Sequence, residues 1–263
     1  MTNPPFRRRR DALKELVAVA RQGWLIPRPG RSLREHGEAE HLVVFVHGYF
    51  ASAGVFGPMA ERIAARGAGP RQLHFTYLPT GSVAGHAERL VEHIERAHPE
   101  GPVCVVAHSL GGLVSRYAAQ VLGQRMDALV TLGTPHHGTD LARPWPMRLT
   151  RELSPGSRLL RTLDETRGRL EGTRLTSVVA VQDALVPHRS AVLERSRVVY
   201  IDGVGHHGML YHPDGIEAVL EGIRLDARRP GDRESCEVLV ESGGHPESGE
   251  HRAGHAPPRR AAG

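Results

Sequence analysis

The 263-residue sequence has little cysteine, almost no lysine and no long apolar run. Its two cysteines are Cys104, inside an apolar stretch, and Cys236, in a polar one. Two such cysteines cannot form a disulfide framework, and they show no metal-ligand spacing. Lys14 is the only lysine, so we interpret the abundant arginine as a compositional bias. A membrane-spanning helix needs about 18 consecutive apolar residues, and no apolar stretch of this sequence approaches that length.

The N-terminal segment also lacks the pattern of a secretion signal. Four arginines, Arg7 to Arg10, are followed by charged residues that include Asp11, Lys14 and Glu15. A secretory signal needs an uninterrupted apolar stretch at this point. The sequence therefore predicts a protein that is cytoplasmic or peripheral to a membrane.

Charge is divided unevenly along the chain. The overall composition, 40% hydrophobic and 24% charged, excludes disordered and fibrous classes. Residues 1–41 hold nine basic and five acidic side chains, residues 42–225 nineteen and seventeen, and residues 226–263 six and seven. The positive excess thus lies in a leader and not in a folded domain, which argues against nucleic-acid binding.

The leader and the tail differ from the middle of the chain. In the leader, residues 1–41, the apolar residues recur on one face of a helix: Leu13, Leu16, Val17, Ala20 and Trp24. We expect this amphipathic helix to pack on the domain; binding to a membrane surface is the second interpretation. The tail, residues 226–263, is rich in polar residues, glycine and proline, and is predicted to be disordered.

Apolar runs alternate with helical patterns over residues 42–225, which is typical of βα units and a mostly parallel sheet. The predicted strands are Leu42–Val46, Gln72–Tyr77, Val103–Ala107, Ala128–Leu132, Leu175–Val181 and Val198–Ile201. Helix signals lie at Pro58, at Ser82, over residues 110–122 and over residues 214–225. Most strands are continuously apolar, as strands covered on both faces are. The fold class is therefore α/β, a mostly parallel central sheet with helices on both faces.

Residues 103–114 pass from an apolar strand through a polar turn into a helix. Ser109 lies at the turn, with Ala107 two residues before it and Gly111 and Gly112 after it. A serine that projects its hydroxyl from a sharp strand-to-helix turn has a strained backbone, which only small neighbours tolerate. The N-terminal amides of the helix would stabilise negative charge beside the hydroxyl. The pattern predicts a nucleophilic serine.

Three segments carry a resemblance to a known family: Ala-His-Ser-Leu-Gly-Gly at 107–112, Val-His-Gly-Tyr at 46–49 and Gly-Val-Gly-His-His-Gly at 203–208. Together they resemble the α/β-hydrolase superfamily, and specifically its bacterial lipase and esterase branch. The likeness spans about residues 42–225 and implies an α/β-hydrolase fold. Ala107 stands where glycine is commoner in the family, which is a minor departure.

The resemblance implies the partners of the serine. A serine hydroxyl is a poor nucleophile unless a base takes its proton and a carboxylate orients that base. In this family the acid and the histidine follow the serine in that order, each after a later strand. The acid is therefore Asp183, after the strand Leu175–Val181, and the base is His206, after the strand that ends at Ile201.

Neighbouring residues are weaker candidates for these roles. Asp202 and Asp140 do not lie in the loop after the penultimate strand, and the Gly-Val-Gly-His pattern favours His206 over His207. In the geometry of such a turn His108 faces away from the serine hydroxyl, and we expect it to be structural.

Two backbone N–H groups are expected to bind the oxyanion of the reaction. One belongs to Leu110, the residue after the serine. The other belongs to Tyr49, because residues 46–49 resemble the family's His-Gly motif.

Two adjacent histidines, His136 and His137, lie near Asp140 in the sequence. They suggest a metal site as the alternative to a structural loop. Adjacent residues of an extended segment point to opposite sides. We therefore expect a structural loop and no metal.

Residues 139–174 are longer than a simple crossover and carry many large apolar residues, namely Trp145, Met147, Leu149, Leu153, Leu159, Leu160 and Leu163. Such a segment can form a short cap that lines an acyl pocket, or a lid that exposes an apolar face at a lipid surface. The alternative is an ordinary crossover helix buried on the sheet, and for the second half of the segment the two interpretations have equal weight.

These observations predict a serine hydrolase that cleaves carboxylic esters, of the triacylglycerol lipase or carboxylesterase type. Its triad is Ser109, His206 and Asp183, and it works through an acyl-enzyme without a cofactor. The expected partner is a small acyl ester or lipid, with peripheral membrane contact through the leader and no nucleic acid. Two alternatives stay open: an amidase, thioesterase or acyltransferase with the same triad, and a catalytically silent binding module.

Overall fold

The computed structural model describes residues 41–65, 70–140 and 148–224. The predicted leader helix and the tail over residues 226–263 lie outside the described residues, and so do residues 141–147 of the predicted cap. Within the three described ranges, no helix combines the length and the apolar composition that crossing a membrane requires.

Six strands form one sheet in which every neighbouring pair is parallel. They are β1 (Leu42–Val46), β2 (Arg71–Phe75), β3 (Val103–His108), β4 (Met126–Leu132), β5 (Arg174–Ala180) and β6 (Arg197–Ile201). Their order across the sheet is β2-β1-β3-β4-β5-β6. Every strand matches its predicted range to within two residues at each end, and the predicted parallel sheet is confirmed.

The helices of the described residues lie between and after the strands. They are α1 (Gly57–Ala64), α2 (Val83–Ala97), α3 (Leu110–Leu122), α4 (Arg148–Glu152), α5 (Arg158–Glu165), α6 (His188–Ala191) and α7 (Pro213–Ile223). Ser82 caps α2 as predicted, because its hydroxyl oxygen accepts a hydrogen bond from the N–H of Gly85. The helix α3 ends at Leu122, and the next residue, Gly123, has a φ of +57°, which favours glycine.

Both faces of the sheet are covered by helices. Successive side chains of a strand point to opposite faces, and the neighbours Val44 and Phe45 of β1 are both fully buried. Val44 belongs to an apolar cluster with α2 and α3, whereas Phe45 belongs to a second cluster with α1 and α7. Burial on both faces explains why the strands are continuously apolar. The predicted α/β fold class is confirmed.

The described part of the predicted cap packs on this domain. Leu149, Leu160 and Leu163 are buried in the cluster that includes α2 and α3. The carboxylate of Glu152 accepts a hydrogen bond at 2.8 Å from the N–H of Val83, the first residue of α2. A carboxylate is favourable there because a helix N-terminus carries partial positive charge. These contacts anchor residues 148–163 to the domain.

Parallel pairing brings the carboxyl ends of the strands to one edge of the sheet. At this edge Val46 of β1 pairs with Ala107 of β3, His108 pairs with Leu132 of β4, and Leu132 pairs with Val178 of β5. The loops that follow these strands therefore open at the same edge, and they contain the residues that the sequence predicted for a site.

Candidate active site

Ser109 lies in the turn between β3 and α3 and has a strained backbone. Its φ is +53° and its ψ is −125°, a conformation that costs a residue other than glycine about 1–3 kcal/mol. A hydrogen bond of 2.9 Å from its N–H to the carbonyl oxygen of Leu132 holds the turn, and α3 begins at the next residue, Leu110. The turn thus has the sharp strand-to-helix geometry that the sequence pattern predicted.

Two glycines allow the first turn of α3 to approach its neighbours closely. A Cβ on Gly111 would lie 2.4 Å from the carbonyl oxygens of both Val46 and His47, and a Cβ on Gly112 would lie 1.9 Å from Oγ1 of Thr134. A real side chain cannot occupy these positions, because the interior is already close-packed. The small residues after the serine are therefore required by packing against β1 and the loop after β4.

Asp183 and His206 form a buried pair. Nδ1 of His206 is 2.7 Å from Oδ2 of Asp183, and the two side chains are 3% and 1% exposed. The other carboxylate oxygen accepts hydrogen bonds from the N–H groups of Leu185 and Val186, at 2.8 and 2.9 Å. These donors compensate the cost of burying a carboxylate and hold it in one orientation.

The rival candidates occupy other positions. The carboxylate of Asp202 accepts a hydrogen bond from the side-chain amide of Gln182. The ring of His207 packs edge-on against that of His206, with centroids 5.0 Å apart. The contact between carboxylate and imidazole at the site is thus made by Asp183 and His206.

His206 packs beside the serine turn. Its ring lies against the ring of His108, with centroids 4.7 Å apart. The Nε2–H of His108 donates to the backbone carbonyl of His206 at 3.0 Å. A Cβ on Gly133, directly after β4, would lie 3.0 Å from Nδ1 of His206. His108, which directly precedes Ser109, thus holds the loop that carries the imidazole of His206.

Leu110 and Tyr49, whose N–H groups are the predicted donors, lie in the two segments next to Ser109. Leu110 is the first residue of α3, where a backbone N–H has no acceptor within the helix. Tyr49 follows Gly48 in the loop after β1, and a Cβ on Gly48 would lie 3.0 Å from the Cβ of Ser109. The absence of a side chain at Gly48 therefore lets this loop lie against the serine turn.

Buried imidazoles around the turn are uncharged at neutral pH. Burial, together with the nearby His206 and His207, holds the pKa of His108 well below its ordinary value. Burial also lowers the pKa of His47 to about 4 and holds the pKa of His136 well below its ordinary value. These side chains therefore act as neutral hydrogen-bonding groups.

His136 and His137 lie in different environments. His136 is fully buried, with its Nε2 3.1 Å from Oγ1 of Thr131, whereas His137 is exposed. Over the residues that the structure describes, no group of three or more histidine, cysteine, aspartate or glutamate side chains is arranged to hold a metal ion.

Sequence reasoning missed the contact between Tyr77 and His47. The Tyr77 hydroxyl donates to the carbonyl of His47 at 2.7 Å, and the Tyr77 N–H donates to Nε2 of His47 at 3.2 Å. The sequence predicts only that Tyr77 is the last residue of the second strand, whereas the structure ends that strand at Phe75. No spacing signal links the two residues, because their contact depends on the parallel pairing of β1 with β2.

Large apolar side chains are exposed in the described loops at the site edge of the sheet. Phe50 after β1, Leu78 after β2 and Leu185 after β5 are 60%, 71% and 42% exposed. Leu185 lies two residues after Asp183, in the loop that holds the carboxylate. Exposed apolar side chains around a polar site suit a substrate with an apolar part.

Comparison with known proteins agrees with this architecture. A family model described as alpha/beta hydrolase fold matches residues 41–154. Triacylglycerol lipases of Pseudarthrobacter phenanthrenivorans and Burkholderia plantarii are each 38% identical to this chain over 61 residues. That match covers 22% of this chain and only 19% and 17% of the two lipases, about a fifth of their length.

A solved structure extends the likeness over most of the chain. The crystal structure of a lipase of Bacillus licheniformis in its mature form has a TM-score of 0.54 and 18% sequence identity. It covers 70% of this chain and 89% of that chain. At this identity the likeness concerns the fold.

Proposed function

Because the chain belongs to the α/β-hydrolase superfamily, with relatives in its bacterial lipase and esterase branch, we propose that it is a serine hydrolase that cleaves carboxylic esters. The observation that carries this proposal is the buried contact between His206 and Asp183, beside the strained turn at Ser109. A carboxylate that orients an imidazole near a serine suits nucleophilic acyl transfer.

The proposed reaction has two halves. In the first, Oγ of Ser109 attacks the ester carbonyl carbon while Nε2 of His206 takes the hydroxyl proton. His206 then gives that proton to the leaving alcohol, and the acyl group stays on Ser109. In the second half, water attacks the acyl-enzyme with His206 as the base, which releases the carboxylic acid and restores the serine. Asp183 holds the Nδ1–H of the imidazole, so that Nε2 is the nitrogen that accepts the proton.

Negative charge on the substrate oxygen is stabilised by backbone donors in this proposal. The N–H groups of Leu110 and Tyr49 bind the oxyanion, and the N-terminus of α3 adds partial positive charge. Loss of one such donor typically costs about 2.7–4 kcal/mol of transition-state stabilisation. The mechanism calls for no cofactor and no metal ion.

An acyl ester or lipid is the proposed substrate class. The exposed Phe50, Leu78 and Leu185 can cover part of an acyl chain, which stabilises binding by about 25 cal/mol per Å² of apolar surface removed from water. The two matched relatives are named triacylglycerol lipases. Contact of the basic leader with a membrane surface also stays a proposal.

A panel of p-nitrophenyl esters of graded chain length tests the function. We expect wild type to hydrolyse the esters and to be labelled by a fluorophosphonate, and Ser109→Ala to lose both activities by about 10³-fold or more. Ser154→Ala, at a serine whose hydroxyl donates to the carbonyl of Thr150, is the control and should keep both.

Other outcomes would replace the proposal. Preference for amide or thioester analogues would indicate an amidase or a thioesterase, and transfer of the acyl group to an added alcohol would indicate an acyltransferase. A folded wild type with neither labelling nor hydrolysis would indicate a catalytically silent binding module.

A further inference from the structure

Tyr77, which follows β2, contacts His47, the first residue after β1. The Tyr77 hydroxyl donates to the His47 carbonyl at 2.7 Å, and the Tyr77 N–H donates to His47 Nε2 at 3.2 Å. The two rings are stacked, with centroids 4.4 Å apart and an angle of 9° between their planes. Both residues are buried, at 6% and 1% exposure. Tyr77 therefore contacts the backbone and the side chain of His47 at once.

These contacts decide which ring nitrogen of His47 carries the proton. A backbone N–H can only donate, so Nε2 of His47 must be the acceptor and the proton must be on Nδ1. The Nδ1–H donates to the carbonyl oxygen of Gly48 at 2.8 Å. Burial lowers the pKa of His47 to about 4, which keeps this neutral tautomer at neutral pH.

The carbonyl of Gly48 and the N–H of Tyr49 belong to one peptide unit. A trans peptide is planar, and its C=O and N–H point in opposite directions. Whatever holds the Gly48 carbonyl therefore sets the direction of the Tyr49 N–H. The Gly48 carbonyl also accepts from the N–H of Ala51 at 3.4 Å, but the bond from His47 is much the shorter.

We infer that Tyr77 is a positioning residue of the oxyanion hole. Its hydroxyl and its backbone N–H hold His47, and His47 in turn holds the peptide whose N–H belongs to Tyr49. This role rests on the proposed function, in which the Tyr49 N–H binds the oxyanion. A donor of this kind acts only when it points at the developing charge, and small misplacements are costly.

Tyr77→Phe tests the inference, because it removes the hydroxyl and keeps the stacked ring and the backbone N–H. We expect kcat per fluorophosphonate-titrated site to fall about ten-fold on a p-nitrophenyl ester, with KM changed less than about two-fold. Affinity for phenylboronic acid, which adds to a serine as an anionic tetrahedral adduct, should fall by a similar factor. Tyr200→Phe, at a ring that is 52% exposed on β6, is the control and should match wild type.

The readouts separate positioning from mere stability. A variant that was only less stable would have fewer titrated sites and a lower melting temperature, but an unchanged kcat per site and an unchanged boronic acid affinity, and that result would overturn the inference. Wild type that is neither labelled nor active would overturn the proposed function together with this role. Labelled, active wild type with an equally active Tyr77→Phe would overturn the role of Tyr77 alone.

Variants of His47 test the next link and do not depend on how well Tyr77→Phe folds. His47→Ala removes the donor to the Gly48 carbonyl, and kcat per titrated site should fall about 100-fold. His47→Asn places an amide nitrogen near the position of Nδ1 and should recover about ten-fold of that loss. If His47→Asn is as slow as His47→Ala, the link from Tyr77 through His47 to the oxyanion hole is wrong.

Discussion

The serine side and the base side of the candidate active site are built in different ways. The serine side is the turn at Ser109 together with the loop after β1, and it depends on the close approach of backbones around Gly111 and Gly112. The base side is formed by the loops after β5 and β6, and it depends on one contact between the ionisable side chains Asp183 and His206. Steric fit determines the structure of the serine side, whereas charge determines that of the base side. Substitutions should therefore affect the two sides differently.

The largest expected effect is a loss of activity on the base side. Asp183→Asn should lower kcat/KM for esters by about 10³–10⁴-fold. The amide oxygen of the variant side chain can still accept hydrogen bonds from the N–H groups of Leu185 and Val186. The side chain, however, no longer presents a negative charge to the imidazole of His206. Ester kinetics and urea denaturation together measure this, and stability should change much less than activity.

Asp202→Asn is the matched control for that experiment. Asp202 lies in the loop after β6 and its carboxylate accepts from Gln182, so its substitution should leave kcat/KM within about three-fold of wild type. Equal losses in the two aspartate variants, or full activity of Asp183→Asn, would contradict the role proposed for Asp183.

On the serine side the next largest effect should fall on stability. Gly111→Ala should lower the free energy of unfolding by at least about 3 kcal/mol. Its Cβ would lie 2.4 Å from the carbonyl oxygens of Val46 and His47, which cannot move without displacing β1. Urea denaturation measures the change, and Gly168→Ala is the control because a Cβ there meets nothing within 4 Å. Equal stability of the two variants would show that steric fit does not determine this side.

The smallest effect is a pH dependence of stability, also on the serine side. Burial lowers the pKa of His47 from 6.5 to about 4 in the folded protein. Below about pH 6.5 the unfolded chain therefore binds a proton that the folded chain does not yet accept. The contribution of His47 to the free energy of unfolding is complete above about pH 6.5 and is lost as the pH falls toward 4, by on the order of 2–3 kcal/mol.

Urea denaturation between about pH 7 and pH 4.5 measures this dependence. His47→Asn should make this decrease smaller, because an amide does not titrate, while His108 and His136, whose pKa values burial also lowers, still contribute to it. His137→Gln, at an exposed position, should keep the full decrease. A His47→Asn variant with the slope of wild type would mean that the buried imidazole does not govern the acid sensitivity of the serine side.

The same contrast explains which parts of the site could be predicted. Ser109 and its glycines lie within one short segment, and the strain of a sharp turn restricts the residues on either side of it. Asp183 and His206 came from a family resemblance and from chain order, because they lie on separate loops. Their meeting depends on the parallel pairing of β5 with β6. Their identity as the acid and the base stays a prediction until it is tested by mutation.

The sequence by itself determined the α/β class, the six strands and the small residues around Ser109. Apolar periodicity and local backbone sterics are properties of short segments, so they can be recognised without a fold. Only the tertiary structure decided that Tyr77 meets His47 and that His108 reaches the carbonyl of His206. Those contacts join residues brought together by the pairing of distant strands and the packing of their loops, and such contacts leave no pattern in any one stretch of sequence.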